Sequence, residues 1–325
     1  MKAGAERLGG AGRSVGLVLA ASLLAAACVG AGSSAACKVG ADCPSGVCHD
    51  GSCVPPAGGG SGPGGGGSGA AAGGGGGGAA TTSSTTTTTG TGGGTCSPNL
   101  DGVIERAEVP IEVGLGAKFL TATNVTFDTT GTVVGGQRQW DLTVALPGDH
   151  LSLLATEPLP AWAAADFPGA TYAARLSEAQ DLLGVFEVTP TDLLLRGVVS
   201  PVGGLGQTKL AYDPPVPVLS FPLTLNKTWS TTTTVTGLAS GVAALYTEHY
   251  DHTVDARGDL LTPFATFDAL RVRVVLDRTV GVLVTRTRSF ALVTECFGTA
   301  ATLVSQPNEL GTEFTSLSEV RRLSP

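Results

Sequence analysis

The sequence predicts an all-β protein in which one large domain follows a long segment without a core of its own. Two observations support this prediction: all 17 aromatic residues lie at or after Phe119, and beyond that point apolar and polar residues alternate as they do in a strand. Turn-forming residues recur every 8–15 residues or so, which gives about ten to twelve strands in residues 96–325. An antiparallel sandwich, a barrel or a strongly curved sheet fits this pattern, and the sequence does not choose among them.

The alternation is clearest in five segments, and in residues 137–145 it places Trp140, Leu142 and Val144 on one face. The other four are residues 121–128, 228–236, 270–274 and 282–293. Turns are predicted at residues 130–131, 147–148, 203–204, 213–215, 257–258 and 308–311. Helical patterns are weak, and residues 161–165 and 177–183 are each expected to form one or two turns at most.

The first 27 residues read as a secretory signal: a positive start is followed by the uncharged apolar run Val15–Ala27. That run has 13 residues, fewer than the roughly 20 that a helix needs to cross a bilayer. It ends in Leu-Ala-Ala-Ala-Cys, which resembles a bacterial lipobox with Cys28 as the acylated residue. The alternative is cleavage by ordinary signal peptidase, which would leave Cys28 as an unpaired thiol.

The lipobox resemblance implies a bacterial lipoprotein whose Cys28 carries palmitate-type acyl chains and anchors the protein to the cell envelope. Several acyl chains hold a membrane far more strongly than one, because each buried methylene adds about 0.8 kcal/mol. Val29 follows Cys28, and under the sorting rule of enteric bacteria this implies the outer membrane, on its periplasmic face or at the cell surface. We expect no transmembrane helix, because no later segment has 18 apolar residues without a charge.

Residues 28–54 are predicted to contain the lipidated N-terminus and a small disulfide-rich module. Four cysteines lie within 17 residues, a span too short to build an apolar core, so cross-links are expected to hold it: Cys37, Cys43, Cys48 and Cys53. Three pairings remain open, and zinc binding is the alternative. The spacing resembles part of the N-terminal cysteine-rich pattern of Dickkopf-type proteins, and this resemblance implies no function.

The two remaining cysteines, Cys96 and Cys296, open the large domain and lie near its end. We predict that they form a disulfide that ties down the entry of the domain. The alternative is a free buried thiol at Cys296 and a mixed pair between Cys96 and another cysteine.

Residues 55–95 are predicted to be a disordered linker, because 19 of them are Gly and none is charged or aromatic. The net charge follows the same division of the chain. The leader carries a net charge of +2, residues 28–54 carry −1 and the linker carries none. Because the whole chain carries −8, residues 96–325 must carry −9. This negative domain argues against nucleic acid as a partner.

The best local motif for a ligand site is the segment Ser97–Glu108, which resembles a 12-residue EF-hand calcium loop. It departs from that loop at its first position, where Ser97 replaces Asp, and Pro110 shortens the helix that would follow. The candidate calcium ligands are Asn99, Asp101, Val103, Glu105 and Glu108. The alternative is a plain Asn/Asp-Gly turn that leads into one helical turn.

Three further clusters are expected to have no specific role. His249 and His252 are three apart on a predicted strand and so should face opposite ways, which argues against a shared metal. The tripeptide at 257–259 spells Arg-Gly-Asp and is expected to form a hairpin turn, and Arg321–Arg322 is expected to be a solvated strand edge.

No catalytic signature is present in the sequence, and we expect a protein that is not an enzyme. The segments at 212–229 and 254–272 resemble exported β-proteins of Gram-negative, myxobacterial-type bacteria, which implies a related fold and no activity. The function expected is that of a lipid-anchored envelope protein whose tethered β domain has a binding or structural role, with an envelope protein, a glycan or an apolar ligand as partner. The alternatives are a carrier or chaperone for an apolar ligand, which would use a cavity lined by Trp140, Trp162 or Trp229, and a carbohydrate-active hydrolase.

Overall fold

The computed structural model describes residues 96–177 and 181–325, together with the backbone of two short strands, β1 (Cys48–His49) and β2 (Ser52–Cys53). These two strands pair antiparallel, with Cys48 opposite Cys53. The signal segment, Cys28, Cys37, Cys43 and the linker at 55–95 lie outside the described residues, so what the sequence indicates for them stays a prediction.

The described part of residues 96–325 is almost entirely β, as the sequence predicts, and its helical content is limited to two 3-10 turns, Arg106–Glu108 and Ala164–Asp166. No helix in this part of the chain is long and apolar enough to cross a bilayer. The strands are β3 (Val103–Ile104), β4 (Gly116–Thr126), β5 (Thr132–Val134), β6 (Gln137–Asp141), β7 (His150–Glu157), β8 (Tyr172–Arg175), β9 (Leu183–Val188), β10 (Asp192–Val199), β11 (Lys209–Ser220), β12 (Leu223–Thr224), β13 (Thr228–Ala239), β14 (Val242–Leu261), β15 (Thr266–Val280), β16 (Leu283–Thr294), β17 (Gly298–Ser305) and β18 (Ser316–Leu323).

Twelve of these strands form a closed antiparallel barrel. Neighbours in the wall follow the chain in the order β4, β7, β8, β9, β10, β11, β13, β14, β15, β16, β17 and β18, and β18 then pairs with β4. The closing pair sets Phe119 opposite Leu323. The prediction of an antiparallel β domain is confirmed. Of the three predicted architectures, a sandwich, a barrel and a strongly curved sheet, the domain forms the barrel.

Period-two alternation decides which side chains fill the barrel. In β14 the residues of even number from Tyr246 to Val254 point inward, whereas their odd neighbours point outward. Tyr250 is 1% exposed, while Asp251 beside it is exposed. The interior at one end of the barrel is apolar, with Phe119, Phe186 and Val272 among its residues.

The N-terminal segment of the domain covers this apolar end. Its strand β3 pairs with β12, so that Ile104 lies opposite Leu223, and Val109 is buried against the interior core. The predicted disulfide between Cys96 and Cys296 is confirmed, with the two Cα atoms 5.4 Å apart. We call this the N-terminal end of the barrel.

The opposite end, which we call the hairpin end, contains the tight turns at 240–241 and 281–282 and the loops at 200–208 and 306–315. The turn at 240–241 contacts the first of these loops, since the Gly241 amide donates to the Gln207 carbonyl at 2.8 Å.

An arm made of β5, β6 and the following loop lies outside the barrel wall. Strand β6 runs parallel to the far part of β14, and this approach requires Gly258, where a Cβ would lie 2.1 Å from the Arg138 carbonyl oxygen. Trp140 and Leu142 are buried between the arm and the wall, as the predicted shared face requires. Val144 is 54% exposed, because the strand already ends at Asp141.

Two of the predicted turns lie inside strands instead. Residues 213–215 belong to β11, where residues 212–215 bulge opposite Arg196. Proline is tolerated in a bulge because the ladder hydrogen bond that its missing N–H would donate is not formed there. Residues 257–258 belong to β14, next to the arm. At 213–215 the prolines lie at a break in the ladder, whereas at 257–258 the ladder with β15 is continuous and the glycine admits the arm. Neither segment reverses the chain.

The prediction of a solvated edge at Arg321–Arg322 is wrong. Arg321 is 2% exposed and Arg322 is fully buried, because the arm covers the outer face of β18 and the barrel interior lies on its other face. The Arg322 guanidinium donates to both oxygens of the Asp149 carboxylate, at 2.9 and 2.6 Å, and to the carbonyl of Leu142 at 2.8 Å.

Removing the disulfide should lower the free energy of unfolding of the domain. The bridge closes a loop of about 200 residues, and chain-entropy models assign such a loop roughly 5 kcal/mol. We expect the variant Cys96→Ser/Cys296→Ser to unfold at a lower urea concentration than the oxidised wild type, by up to that amount in free energy. Wild type with reductant is the control and should match the variant; equal midpoints for all three samples would contradict the prediction.

Candidate functional site

Polar side chains gather inside the barrel towards the hairpin end, where strands β11, β13, β14 and β15 meet. The register brings them together: Glu248 lies opposite Thr233 on one side and opposite Arg278 on the other. Residues opposite one another on a sheet face are about 5 Å apart at Cβ, so these side chains are in reach of each other. We call the set the Glu248 cluster; its members are Tyr212, Thr233, Tyr246, Glu248, Tyr250 and Arg278.

Glu248 is the centre of the cluster and is fully buried. Its Oε2 accepts a hydrogen bond from the Tyr250 hydroxyl at 2.6 Å, and its Oε1 accepts from Arg278 Nε at 2.7 Å and lies 2.6 Å from Arg278 Nη2. The guanidinium also lies 5.2 Å from the centre of the Tyr246 ring. One negative and one positive charge therefore compensate each other inside the barrel, as burial demands.

The tyrosines of the cluster keep their hydroxyl protons. Burial, reinforced by the negative charge of Glu248, raises the pKa of Tyr246 to about 12 and raises the pKa of both Tyr212 and Tyr250 well above the usual value. Burial lowers the pKa of Arg278, but the electrostatic interactions with Glu248 and the three tyrosines together more than offset burial, so its pKa is raised and the guanidinium stays charged. At neutral pH the cluster thus has no net charge and presents hydroxyl groups that donate and accept.

Three of these hydroxyl groups are buried without a hydrogen-bond partner: those of Tyr212, Tyr246 and Thr233. The hydroxyls of Tyr212 and Tyr246 face each other without forming a hydrogen bond of good geometry. Leaving a buried polar group unsatisfied costs about 1–3 kcal/mol, so the cluster contains hydrogen-bonding capacity that the described residues around it do not use.

The cluster becomes more exposed towards the hairpin end. Glu248 has no exposed surface, whereas the side chain of Arg278 is 13% exposed and Tyr246, one step nearer the end, is partly buried. Tyr246 and Arg278 are therefore the members of the cluster closest to solvent at the hairpin end.

His252 lies deeper in the interior, stacked on the ring of Trp229 with the ring centres 4.8 Å apart. Its burial lowers the pKa of the imidazole to about 3, so the ring is neutral at physiological pH. His249 lies on the outer face, with 43% of its side chain exposed. The prediction that the two histidines face opposite ways is confirmed.

The segment that resembles a calcium loop forms a chain of short-range hydrogen bonds. The side chains of Asn99 and Asp101 accept from backbone amides two residues ahead, at 2.9 and 2.8 Å, and the Glu108 carboxylate accepts from the Asn99 side chain and from the Glu105 amide. This arrangement is the turn followed by one helical turn that the sequence allows as the alternative. Val103 begins β3.

Within the described part of the chain there is no group of three or more His, Cys, Asp or Glu side chains placed to hold a metal ion. Calcium binding by this segment stays a prediction.

The Arg-Gly-Asp tripeptide lies within β14, and its arginine is engaged inside the domain. Arg257 donates to the Asp268 carboxylate at 3.1 Å and to the Leu100 carbonyl at 2.9 Å. The expectation of a hairpin turn at this tripeptide is wrong, because the strand continues to Leu261.

The tryptophans named as candidates for an apolar cavity lie in three different places. Trp140 is buried under the arm and its indole donates to the Thr129 carbonyl, while the indole of Trp229 donates to the Pro217 carbonyl inside the barrel. Trp162 packs outside the wall with the apolar cluster beneath residues 158–170. The structure does not bring the three together.

Comparison with known proteins found no matching family model, no similar curated protein and no similar solved structure.

The sequence contains a signal for the Glu248 cluster in the spacing of four residues of β14. Tyr246, Glu248, Tyr250 and His252 are spaced two apart, which places them on one face of a strand. Both faces of this strand carry polar residues, so alternation alone does not show which of them points inward.

Acid should destabilise the domain through His252. Its pKa is about 3 in the folded protein and about 6.5 when unfolded, so between these values the unfolded chain binds a proton that the folded chain does not. This contribution to the free energy of unfolding therefore falls as the pH is lowered from about 6.5, by up to about 1.4 kcal/mol per pH unit. We expect urea unfolding between pH 6.5 and 4.5 to show a smaller loss for His252→Phe than for wild type.

His249→Phe is the matched control for this measurement, because it makes the same ring replacement on the outer face of the same strand. Equal pH slopes for His252→Phe and wild type would contradict the prediction.

Proposed function

We propose that this protein is a lipid-anchored binding protein of the bacterial cell envelope, and that its barrel holds a small neutral ligand rich in hydroxyl groups, such as a sugar. The observation that carries this proposal is the set of unpartnered hydroxyls of Tyr212, Tyr246 and Thr233 inside the barrel.

The charge of the Glu248 cluster favours a neutral ligand. Glu248 and Arg278 already neutralise each other, and the tyrosines stay protonated because of their raised pKa values. An anion would find no uncompensated positive charge in the cluster, and a cation no uncompensated carboxylate. Hydroxyl groups, which donate and accept at once, match the hydroxyls that the cluster leaves unpaired.

The size of the barrel supports an interior site at this end. Eight strands already enclose a space that wall side chains just fill, and the interior widens with each added strand. Of the twelve-stranded interior, the apolar end is filled with help from Ile104 and Val109 of the N-terminal segment. The Glu248 cluster lies in the other half.

The anchor is supported by the lipobox-like sequence that ends at Cys28 and by cysteine usage that is typical of an exported chain. A tethered domain that binds a small molecule needs no catalytic group, which agrees with the expectation that the protein is not an enzyme. An apolar ligand and a glycan-cleaving activity are the alternatives that the binding experiment separates.

Ligand binding should be tested on the full chain with glucose, N-acetylglucosamine and lauric acid as probes, by calorimetry and thermal shift. We expect a sugar to bind and Tyr246→Phe or Thr233→Val to weaken it about 2–13-fold, since one hydrogen bond contributes about 0.5–1.5 kcal/mol. Tyr172→Phe is the matched control, because Tyr172 is a buried tyrosine of the apolar end whose hydroxyl also has no hydrogen-bond partner.

Binding of lauric acid without any sugar would overturn this assignment in favour of an apolar carrier. Release of a shortened sugar from a chitin or glucan oligomer would overturn it in favour of a hydrolase.

The anchor should be tested by palmitate labelling and membrane fractionation of wild type and Cys28→Ala. We expect label and membrane association for wild type and no label for Cys28→Ala. Unlabelled wild-type protein would remove the lipid anchor from the proposal and leave the ligand site untouched.

A further inference from the structure

Exposed aliphatic side chains concentrate at the hairpin end of the barrel. In the described part of the chain 17 large aliphatic residues are exposed, and nine of them lie at this one end, on its turns, its loops and the adjoining strand ends. They are Val202, Leu205, Val242, Leu245, Val280, Val282, Leu283, Val284 and Leu310. Val282 is 96% exposed and Leu205 has an exposed fraction of 104%, so these side chains have essentially no cover. Concentrated exposed apolar surface of this kind marks an interaction site.

The chain around eight of these residues, all but Leu310, carries no charge. Residues 199–208, 237–247 and 279–285 contain no Asp, Glu, Lys, Arg or His. This is unusual for solvent-facing turns in a domain whose net charge is −9, and it means that three neighbouring tips can enter an apolar medium without dehydrating an ion.

The two hairpin tips are apolar on both faces. Val242 lies on the same face of β14 as Glu248, whereas Leu245 lies on the opposite face, and both are about 70% exposed. In β16 Leu283 and Val284 face opposite ways and are 72% and 59% exposed. A protein partner that lay against one side of a hairpin would cover one of these faces, whereas a lipid layer surrounds both.

The backbone of the tips is suited to lipid, where each unpaired N–H or C=O costs several kcal/mol. Pairing in the β13–β14 hairpin continues to Ala239 opposite Val242, and in the β15–β16 hairpin it continues to Val280 opposite Leu283. Only two-residue turns remain beyond the ladders, and the first has positive φ at both Ser240 and Gly241, as tight hairpins require.

We propose that the hairpin end of the barrel inserts shallowly into a lipid bilayer, with the tips of the β13–β14 and β15–β16 hairpins in the apolar layer. The apolar part of the longer tip covers about four residues per strand, on the order of 13 Å, so that it enters one leaflet of a layer about 30 Å thick. The lack of charge favours zwitterionic lipid over anionic lipid, which the domain's net charge of −9 would repel.

The segment between Cys28 and Cys96, which we call the tether, is long enough for the hairpin end to reach the membrane that holds the proposed anchor. The chain enters the domain at Cys96, which is joined to Cys296 at the N-terminal end, opposite the hairpins. The predicted linker at 55–95 alone has 41 residues, which extend to about 140 Å, more than three times the roughly 40 Å of a 12-residue strand. The barrel can therefore turn its hairpin end towards the membrane that holds its own anchor. This choice of membrane rests on the proposed anchor, whereas the insertion itself does not.

Insertion should be measured by fluorescence on the full chain bound to phosphatidylcholine vesicles whose acyl chains are brominated. The variants are Leu245→Trp and Val282→Trp, with Leu153→Trp as the matched control on the outer wall, where Leu153 is 65% exposed. We expect the added fluorescence of the two hairpin variants to be quenched by the brominated lipid and protected from aqueous iodide. Leu153→Trp should show the reverse.

A charge at the tip should weaken the insertion. The double variant Val282→Lys/Leu283→Lys should lower the bilayer partitioning of the hairpin end at least about tenfold, because each aliphatic side chain contributes 1.5 kcal/mol or more to transfer out of water. Val133→Lys/Val134→Lys, on the exposed arm, is the matched control and should leave partitioning unchanged.

Two results would overturn the proposal. The first is equal iodide quenching of the fluorescence of the two hairpin tryptophans with and without vesicles. This result would count against insertion whether or not the lipid anchor attaches the chain to the vesicles. The other is a dimer in sedimentation that Val282→Lys/Leu283→Lys dissociates, since that would assign this face to a second copy of the chain. The anchor is tested separately by palmitate labelling, so its failure and the failure of insertion are distinguishable.

Discussion

The pairing of β4 with β18 is the constraint on which the rest of the structure depends. It joins the first wall strand to the last, with Phe119 opposite Leu323, and so removes every free edge from the twelve-stranded wall. Because the closed wall has no free edge, the segment that precedes β4 cannot join it as a further strand. Residues 96–115 therefore fold over one end of the barrel, where Ile104 and Val109 complete the apolar interior and Cys96 is held by Cys296.

Covering one end leaves the two ends of the barrel chemically different. The N-terminal end is filled by apolar side chains, whereas the interior at the other end contains Glu248, Arg278 and hydroxyls without partners. Beyond that interior the hairpins continue as uncharged tips with exposed side chains such as Val282. The two proposals made for this end are compatible, because tips that reach the acyl layer would place the polar interior near the headgroups, where hydroxyl-bearing molecules are found.

Buried arginines connect the barrel wall to the loop before β18 and to the arm. Arg271 is 3% exposed and pairs with Asp255 and Glu313, so that strands β14 and β15 are tied to the loop before β18. Arg322 holds Asp149 and thereby the end of the arm. Each charge is compensated by a carboxylate and by further hydrogen bonds, because an unpaired ion in such a position would be strongly destabilising. Burial of this kind depends on layers that the local sequence does not show, which is why the sequence predicts an exposed edge at Arg321–Arg322 and the structure buries it.

The sequence by itself determined the class of the fold and the strands with clear alternation, such as the threonine-rich β13, and it predicted the pairing of Cys96 with Cys296. These follow from local periodicity and from the small number of cysteines in the domain, which depend on neither neighbours nor closure. The tertiary structure decided that the sheet closes into a barrel, that residues 257–258 continue a strand, and that Glu248 points inward. Register and closure arise from pairings between residues far apart in the chain, and both faces of β14 carry polar side chains. Only the assembled wall therefore distinguishes its inside from its outside.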